Sequence, residues 1–281
     1  MKRRLLRRPV FVVGTIRSGS TLTARCLGQH PLIRYVGFEL AAEWSRVGGA
    51  PIAHCETDDP NCPPLGAEHA TAAIRQALHD CFAARLAEAG ERPVFLSKNP
   101  HLSNKLAYLR ALFPDASLVV SSRDVRSTVA SIRALFPASP RGYAGCRIHL
   151  PEAPGACWSQ SPPHTFAGVD PARTFPGGDV RVIAEYWLRT YEAIDAELAG
   201  FERSTLAHHR RLTAAPQEEL ARVVRELGIP ARRFELPFAI DRGRNERWHQ
   251  ILSDREQDQL EGFIASERDR ISALRSAEGA A

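Results

Sequence analysis

Short apolar runs alternate with amphipathic stretches along the first half of the chain. Such runs are typical of strands buried on both faces of a sheet, and they lie at residues 9–13, 93–97 and 117–121. Each is followed by helical spacing of apolar residues, which predicts helices over residues 20–29, 102–112 and 125–136. Repeated strand–loop–helix units predict a parallel sheet, and ligands bind such sheets beyond the carboxyl ends of the strands.

The other periodic segments of the chain predict helices. These lie at residues 68–89, at 179–198, and from Pro216 to near Gly228. The last predicted helix starts at Ser253, which is expected to form a capping box with Glu256. We therefore expect one α/β domain over residues 1–281, with helices on both faces of the sheet.

Residues 137–178 interrupt this order. The segment is rich in Pro and Gly, shows no clear period and is too long for an ordinary connection between elements. We expect a lid or an insertion that contributes to a binding site, with a disordered linker as the alternative.

The composition indicates a globular protein with a mild excess of positive charge. Of its 281 residues, 44% are hydrophobic and 25% charged, and the net charge is +5. This excess suits an anionic ligand such as a nucleotide; because no nucleic-acid-binding module is evident, we expect no nucleic-acid partner. No apolar stretch reaches the roughly 18 residues of a membrane helix, and no signal-peptide core follows the basic residues 2–8. We therefore expect a cytoplasmic protein without a membrane span.

The chain has six cysteines, and in a cytoplasmic protein free thiols are the first expectation. Cys55 and Cys62 lie in a Pro- and Asp-rich loop with His54 and His69 nearby. A local disulfide or a metal site stays open for them, although their spacing fits no standard zinc pattern.

A glycine loop follows the first predicted strand and leads into a helix. Its sequence has the frame Gly-x-x-x-x-Gly-x-Thr and reads Gly14-Thr15-Ile16-Arg17-Ser18-Gly19-Ser20-Thr21. Backbone N–H groups at a helix N-terminus form an anion site, and the hydroxyls of Ser18, Ser20 and Thr21 add donors. The fold is therefore expected to be a P-loop-type parallel sheet; an ordinary strand–helix turn is the alternative.

Two departures from the P-loop of kinases argue against a magnesium–triphosphate site. Ser20 stands where those enzymes have the lysine that holds the β- and γ-phosphates. The only candidate for a metal-binding aspartate, Asp124, directly follows Arg123, and the positive charge of the loop lies on Arg17. An ATP-dependent kinase-like phosphotransferase stays as the alternative function, beside a non-catalytic nucleotide-binding protein.

A second candidate phosphate site follows the third predicted strand. Arg123 and Ser131 are eight residues apart, so they lie broadly on one helix face and could hold one phosphate together. Asp124 could instead only cap the helix.

Together the two motifs resemble the superfamily of sulfotransferases that use 3′-phosphoadenosine-5′-phosphosulfate (PAPS). The pattern is most similar to tyrosylprotein sulfotransferases and related bacterial enzymes. The resemblance is strong over residues 9–36 and 94–134 and weaker elsewhere. Three further stretches carry it: Gly37-Phe38-Glu39, Leu96-Ser97-Lys98-Asn99-Pro100 and Gly243-Arg244-Asn245-Glu246-Arg247-Trp248.

The resemblance implies a role for each matching residue. Glu39 would accept the acceptor's proton, and Lys98 would stabilise the charge on the leaving oxygen. Arg17 would be the third catalytic residue and, with Ser18, Gly19, Ser20 and Thr21, would bind the 5′-phosphosulfate. The remaining residues of the donor site would be Arg123 and Ser131, which bind the 3′-phosphate, and Arg244 and Asn245, whose loop closes over the nucleotide.

One departure from the family concerns the stretch before the penultimate helix. Many relatives have Tyr-Glu-x-Leu there, whereas this chain has His209-Arg210-Arg211-Leu212. The tyrosine is lost, which puts the donor contacts at this position in doubt.

The resemblance also implies the reaction. A sulfuryl group would pass in line from PAPS to a hydroxyl or similar nucleophile, leaving PAP, with fixed cations in place of a metal. The acceptor is expected to be a small molecule bound by residues 38–66 and 137–178. His101 is the reserve candidate for the base, and His30 lies near another predicted loop mouth. Trp248 could stack on adenine, while Trp187 is expected in the core.

Overall fold

The computed structural model describes residues 6–37, 39–40, 43–44, 47, 65–90, 93–134 and 178–276. Its centre is a parallel sheet of five strands in the order β2-β3-β1-β4-β5. The strands are β1 (Val10–Val13), β2 (Ile33–Tyr35), β3 (Val94–Lys98), β4 (Ser117–Ser122) and β5 (Arg203–His208).

Ten α-helices are described around this sheet. They are α1 (Ser20–Leu27), α2 (Ala72–Glu88), α3 (Leu106–Leu112), α4 (Val125–Arg133), α5 (Val180–Leu198), α6 (His209–Ala214), α7 (Pro216–Glu226), α8 (Trp248–Ile251), α9 (Asp254–Ser266) and α10 (Arg268–Ala273). Short 3₁₀-helices lie at Ala67–His69, Pro100–Leu102 and Arg242–Asn245.

The sheet is buried on both faces, as its apolar strands predict. Along β1, Phe11 and Val13 pack into a core with α2 to α5, whereas Val10 and Val12 pack on the other side with α1 and α7. These four side chains are at most 1% exposed. The predicted α/β sheet flanked by helices is confirmed.

The three predicted strands are confirmed within one residue, but two further strands were missed. β2 has only three residues, and β5 mixes polar and apolar positions, with Leu206 half-buried and Thr205 buried. Both strands lie at the edges of the sheet, where one side of a strand is open and a continuous apolar run is not required.

Most predicted helices are present with shifted ends. The helix expected over 102–112 is a 3₁₀ turn at Pro100–Leu102 followed by α3, because the Asn99 side chain caps the turn at the His101 N–H. The capping box of Ser253 and Glu256 is confirmed, although α10 follows the helix it starts. The short helix α6 was not predicted.

Several expectations fall outside the described residues. Residues 137–177 of the insertion expected over 137–178 are among them, as are Cys55 and Cys62. Within the described part, Cys26 is a buried free thiol and Cys81 a half-buried one. The expectation of a single domain over residues 1–281 stays a prediction.

Candidate active site

The carboxyl ends of β1, β3, β4 and β5 meet at one edge of the sheet. The strand register aligns Val12 with Lys98 on β3, and Ser122 on β4 with His208 on β5. The glycine loop leaves β1 at this edge, and Arg123 leaves β4 there. The fold therefore brings the two predicted phosphate-binding motifs and Lys98 to one place, as expected for a parallel sheet.

The glycine loop is held by hydrogen bonds from three sides. The N–H of Gly14 donates to the Ser103 hydroxyl (3.0 Å), and the N–H of Ile16 donates to the Tyr186 hydroxyl on α5 (3.1 Å). The Ser121 hydroxyl on β4 donates to the carbonyl of Ser18 (3.1 Å). Because its conformation is fixed by the core, the loop is preorganised rather than adaptable.

Ser18 stabilises the conformation of the loop rather than offering its hydroxyl to a bound anion. Its hydroxyl donates to the carbonyl of Thr15 (2.8 Å), its N–H points to the same oxygen (3.3 Å), and the residue is fully buried. The predicted hydroxyl donor at Ser18 is thus already engaged.

The N-terminus of α1 fits an anion. Its N-cap is Gly19, no side chain caps it, and its first turn contains no acidic residue. The uncapped N–H groups carry partial positive charge, and Ser20 and Thr21 place hydroxyls on the same turn. These donors fit a phosphate-like anion.

Arg17 links the two predicted phosphate sites. It has a left-handed backbone (φ 63°), and its guanidinium Nε donates to the Ser131 hydroxyl on α4 (3.1 Å). Two residues assigned by sequence to different phosphate groups are therefore in direct contact.

Arg123 is buried and holds the loop and the C-terminal part of the chain together. Its guanidinium donates to the carbonyls of Arg17 (3.1 Å) and Arg244 (3.0 Å), and Nε donates to the side-chain oxygen of Asn245 (3.3 Å). The indole N–H of Trp187 donates to the Arg123 carbonyl (3.0 Å). Trp187 is therefore a core residue that fixes Arg123, as the sequence favoured.

The predicted loop of Arg244 and Asn245 packs against Arg123 and α4. The Ser127 hydroxyl on α4 donates to the Asn245 carbonyl (2.9 Å), which anchors the 3₁₀-helix next to Arg123. The exposed Arg244 side chain lies beside Asp241 (3.6 Å). Asp124 caps α4 by accepting from the Ser127 N–H (2.8 Å).

Lys98 and Glu39 form an ion pair at the end of β3. The Lys98 ammonium lies 2.5 Å from the Glu39 carboxylate, and the two side chains are 2% and 16% exposed. Burial lowers the pKa of Lys98, and the Glu39 carboxylate opposes that effect. A cation and a candidate base thus share one hydrogen bond.

The backbone of Glu39 is in a left-handed conformation, with φ 59°. The amide Nδ2 of Asn99 donates to the Glu39 carbonyl (3.1 Å) and supports this conformation. His101 Nε2 lies 3.8 Å from the other Glu39 oxygen. His101 is thus near the site, whereas His30 is fully buried against the Pro230 carbonyl (2.9 Å) and is structural.

His209 is a residue of this site that sequence reasoning did not assign. It follows β5, lies 2.8 Å from the Asn245 side-chain oxygen through Nδ1, and packs on Gly19. Burial, together with the Arg123 guanidinium, lowers the pKa of His209 to about 4. One signal in the sequence could have pointed to it: His209 stands where many relatives have the tyrosine of Tyr-Glu-x-Leu.

The part of the chain that the structure describes contains neither a cluster of metal ligands nor a membrane-spanning helix. No group of three or more His, Cys, Asp or Glu side chains there could hold a metal ion. No helix among those residues is long and apolar enough to cross a bilayer.

A family model for sulfotransferases matches residues 9–161, more than half of the chain. The chain belongs to the sulfotransferase family. The match covers the glycine loop, Glu39, Lys98 and the Arg123 motif, so the resemblance on which their roles rest is confirmed at the level of the family.

Solved structures of bacterial sulfotransferases share the fold. The sulfotransferase from Alicyclobacillus acidocaldarius is 14% identical, with 97% of each chain covered and a TM-score of 0.56. The sulfotransferase domain of the Synechococcus PCC 7002 olefin synthase is 16% identical, with 94% of this chain and 97% of that one covered and a TM-score of 0.52. A sulfotransferase from Mycobacterium tuberculosis H37Rv is 18% identical, with 96% and 77% covered and a TM-score of 0.50. A comparison with curated protein sequences found no match.

Proposed function

We propose that this sulfotransferase takes its sulfuryl group from PAPS and transfers it to a hydroxyl or similar nucleophile of a small molecule, without a metal ion. The observation that carries the proposal is the contact of Lys98 with Glu39 at 2.5 Å, at the sheet edge where the glycine loop begins. The Lys98 ammonium is suited to stabilise negative charge on a leaving oxygen, and the Glu39 carboxylate is suited to take a proton from the acceptor.

The donor site is proposed to span the two motifs that meet through Arg17. The N-terminus of α1, with Ser20 and Thr21, would hold the 5′-phosphosulfate by N–H and hydroxyl donation. Arg123 and Ser131 would hold the 3′-phosphate, which distinguishes PAPS from ATP. Arg123 is suited to this because a buried guanidinium offers a charged, directional fork of donors.

PAPS supplies an activated sulfuryl group, and its S–O bond to the 5′-phosphate breaks as the acceptor oxygen bonds to sulfur. Lys98 would turn from Glu39 toward the bridging oxygen and stabilise the negative charge that develops there. The released Glu39 carboxylate would then take the acceptor's hydroxyl proton. The remaining catalytic contribution, from Arg17 and the loop, is positioning and charge stabilisation.

The acceptor pocket and the cellular location belong to the same proposal. Residues 38–66 and 137–178 would line the pocket, and most of them lie outside the described residues. The free thiols of Cys26 and Cys81 are in keeping with a cytoplasmic location.

Calorimetric titration with PAP, ADP and ATP, each with and without magnesium, tests the proposal. We expect PAP to bind without magnesium and at least about 10-fold more tightly than ADP, since only PAP has a 3′-phosphate. Arg123→Ala should remove that preference. Arg133→Ala is the matched control, because Arg133 lies on the adjoining helix and pairs with Glu256 (2.6 Å).

Tighter binding of magnesium–ATP than of PAP would contradict the proposal. The glycine loop would then serve a kinase-like phosphotransferase, which is the alternative left open by the sequence. Equal loss of preference in Arg133→Ala would show that Arg123 acts only through the stability of the fold.

A further inference from the structure

His209 occupies a junction between two halves of the donor site. It is the first residue of α6, directly after β5, and it is 3% exposed. β5 pairs with β4 so that Ser122 aligns with His208, and the residues that follow the two strands are Arg123 and His209.

The first contact of His209 is with the glycine loop. A Cβ atom added to Gly19 would lie 2.3 Å from His209 Cδ2 and 3.1 Å from Nε2. The imidazole therefore occupies the volume of any side chain at position 19 and packs directly on the loop backbone. This is the point where the chain turns into α1, with φ 93° at Gly19.

The second contact is a hydrogen bond whose direction follows from its neighbours. The atom of Asn245 that faces His209 Nδ1 (2.8 Å) also faces Arg123 Nε (3.3 Å). An arginine Nε–H can only donate, so that atom is the amide oxygen. His209 must then carry its proton on Nδ1 and donate to Asn245. The Asn245 amide nitrogen donates in turn to the Thr213 hydroxyl (3.2 Å) on α6.

The charge state of the ring agrees with this assignment. Burial and the nearby Arg123 guanidinium lower the pKa of His209 to about 4, so the imidazole is neutral at pH 7. A neutral ring beside Arg123 adds no repulsion, and its single N–H is used on Asn245.

We propose that His209 is a positioning residue that sets Arg123 and Asn245 against the glycine loop at Gly19, so that one nucleotide can contact both motifs. The inference rests on the proposed function, since it concerns how the two phosphate groups of PAP are held at a fixed separation. It assigns to this chain's histidine a role that does not require contact with the nucleotide.

Three substitutions separate packing from hydrogen bonding. His209→Asn places an amide N–H near the position of Nδ1 and keeps the donor. His209→Gln moves the donor further from Asn245, and His209→Phe fills the ring volume without any donor. We expect the ratio of PAP to ADP affinity to fall about 10-fold in the Gln and Phe variants and to stay within about 3-fold of the wild type in His209→Asn.

The control is a second buried histidine with two hydrogen bonds. His79 accepts from the Leu6 N–H (3.1 Å) through Nδ1, and its Nε2 lies 2.9 Å from the Leu112 carbonyl oxygen. We expect His79→Asn to lower the melting temperature and leave the PAP to ADP ratio unchanged. A merely structural His209 would behave like His79.

Asn245→Leu keeps the test decisive if a His209 variant folds poorly, and a double-mutant cycle tests whether the two residues act through the same hydrogen bond. Asn245→Leu removes this hydrogen bond from the other partner, together with those that the Asn245 side chain makes to Arg123 and Thr213, and we expect at least a similar loss in the PAP to ADP ratio. His209→Phe combined with Asn245→Leu should lower the ratio little more than Asn245→Leu alone.

The inference is overturned if His209→Gln and His209→Phe keep the wild-type ratio, or if the two substitutions in the cycle are additive. Its failure is distinct from failure of the proposed function. In the first case the wild type still prefers PAP over ADP, whereas in the second the wild type itself shows no such preference.

Discussion

At the scale of single residues, Gly19 meets two separate constraints. Its φ of 93° lies in the region that side chains rarely adopt, and His209 fills the space where a Cβ would be. Both constraints come from the way the loop turns into α1 beneath a buried ring.

We therefore expect Gly19→Ala to destabilise the fold by about 1–3 kcal/mol and to weaken PAP binding at least about 10-fold, because the loop must shift. Thermal unfolding and calorimetry measure the two effects. Gly262→Ala in α9 is the control: nothing lies within 4 Å of its added Cβ, and it should stabilise the helix by up to about 1 kcal/mol. Unchanged PAP affinity in Gly19→Ala would contradict the packing of His209 on the loop.

The buried His209 also predicts a pH dependence of stability. Its pKa is lowered from 6.5 to about 4, so between these pH values the unfolded chain binds more protons than the folded one. The contribution of His209 to the free energy of unfolding is therefore fully present above pH 6.5. It is lost as the pH falls through 4, which lowers the stability of the protein by at most about 3 kcal/mol. Besides burial, the groups that influence this pKa are Arg123, Asn245, Asp124 and Arg244.

Chemical unfolding at a series of pH values, for the wild type and His209→Asn, measures this dependence. Burial also lowers the pKa of His79, which acts in the same direction, so the difference between the two proteins isolates His209. We expect the wild type to lose more stability on acidification than His209→Asn. Parallel curves would contradict a neutral, buried His209.

At the scale of elements, the start of α9 can be read directly from sequence. Ser253 accepts from the Glu256 N–H (3.4 Å), and the Glu256 carboxylate accepts from the Ser253 N–H (2.9 Å). The whole motif lies within four consecutive residues, so no long-range contact is needed to predict it.

We expect Ser253→Ala to destabilise the protein by about 1 kcal/mol, because a helix N–H loses its acceptor. Ser266→Ala, at the other end of α9, is the control and should change stability by less than about 0.5 kcal/mol. Urea unfolding compares them. Equal effects of the two substitutions would show that the cap contributes nothing specific.

The sequence predicts elements well where the local pattern determines them. β1, β3 and β4 each contain a short apolar run buried in the sheet, and helix caps involve residues only a few positions apart. β2 and β5 are edge strands with mixed patterns, and without β5 the sequence cannot place His209 next to Gly19. The left-handed backbone conformation at Glu39 also leaves no recognisable pattern in the sequence, so it could not be predicted.

At the scale of the whole molecule, the candidate site exists because four parallel strands end together. Residues more than a hundred positions apart are in contact there: Arg17 and Ser131 are separated by 114 positions, and Arg123 and Asn245 by 122. The identity of these residues could be inferred from short motifs and family resemblance. Their mutual contacts, including the links from Arg123 to Arg244 and Asn245, depend on packing that no local pattern encodes.

The proposed function places sulfuryl transfer at the Lys98–Glu39 pair of this edge. The most direct measurement uses PAPS radiolabelled in sulfur with a mixture of small hydroxyl-bearing metabolites, comparing the wild type with Glu39→Gln and Lys98→Met. We expect label in organic products with the wild type. Each variant should lower the transfer rate about 100-fold or more, and PAP should still bind to Glu39→Gln. Transfer by Glu39→Gln at the wild-type rate, or transfer of phosphate from ATP in place of label from PAPS, would contradict the account.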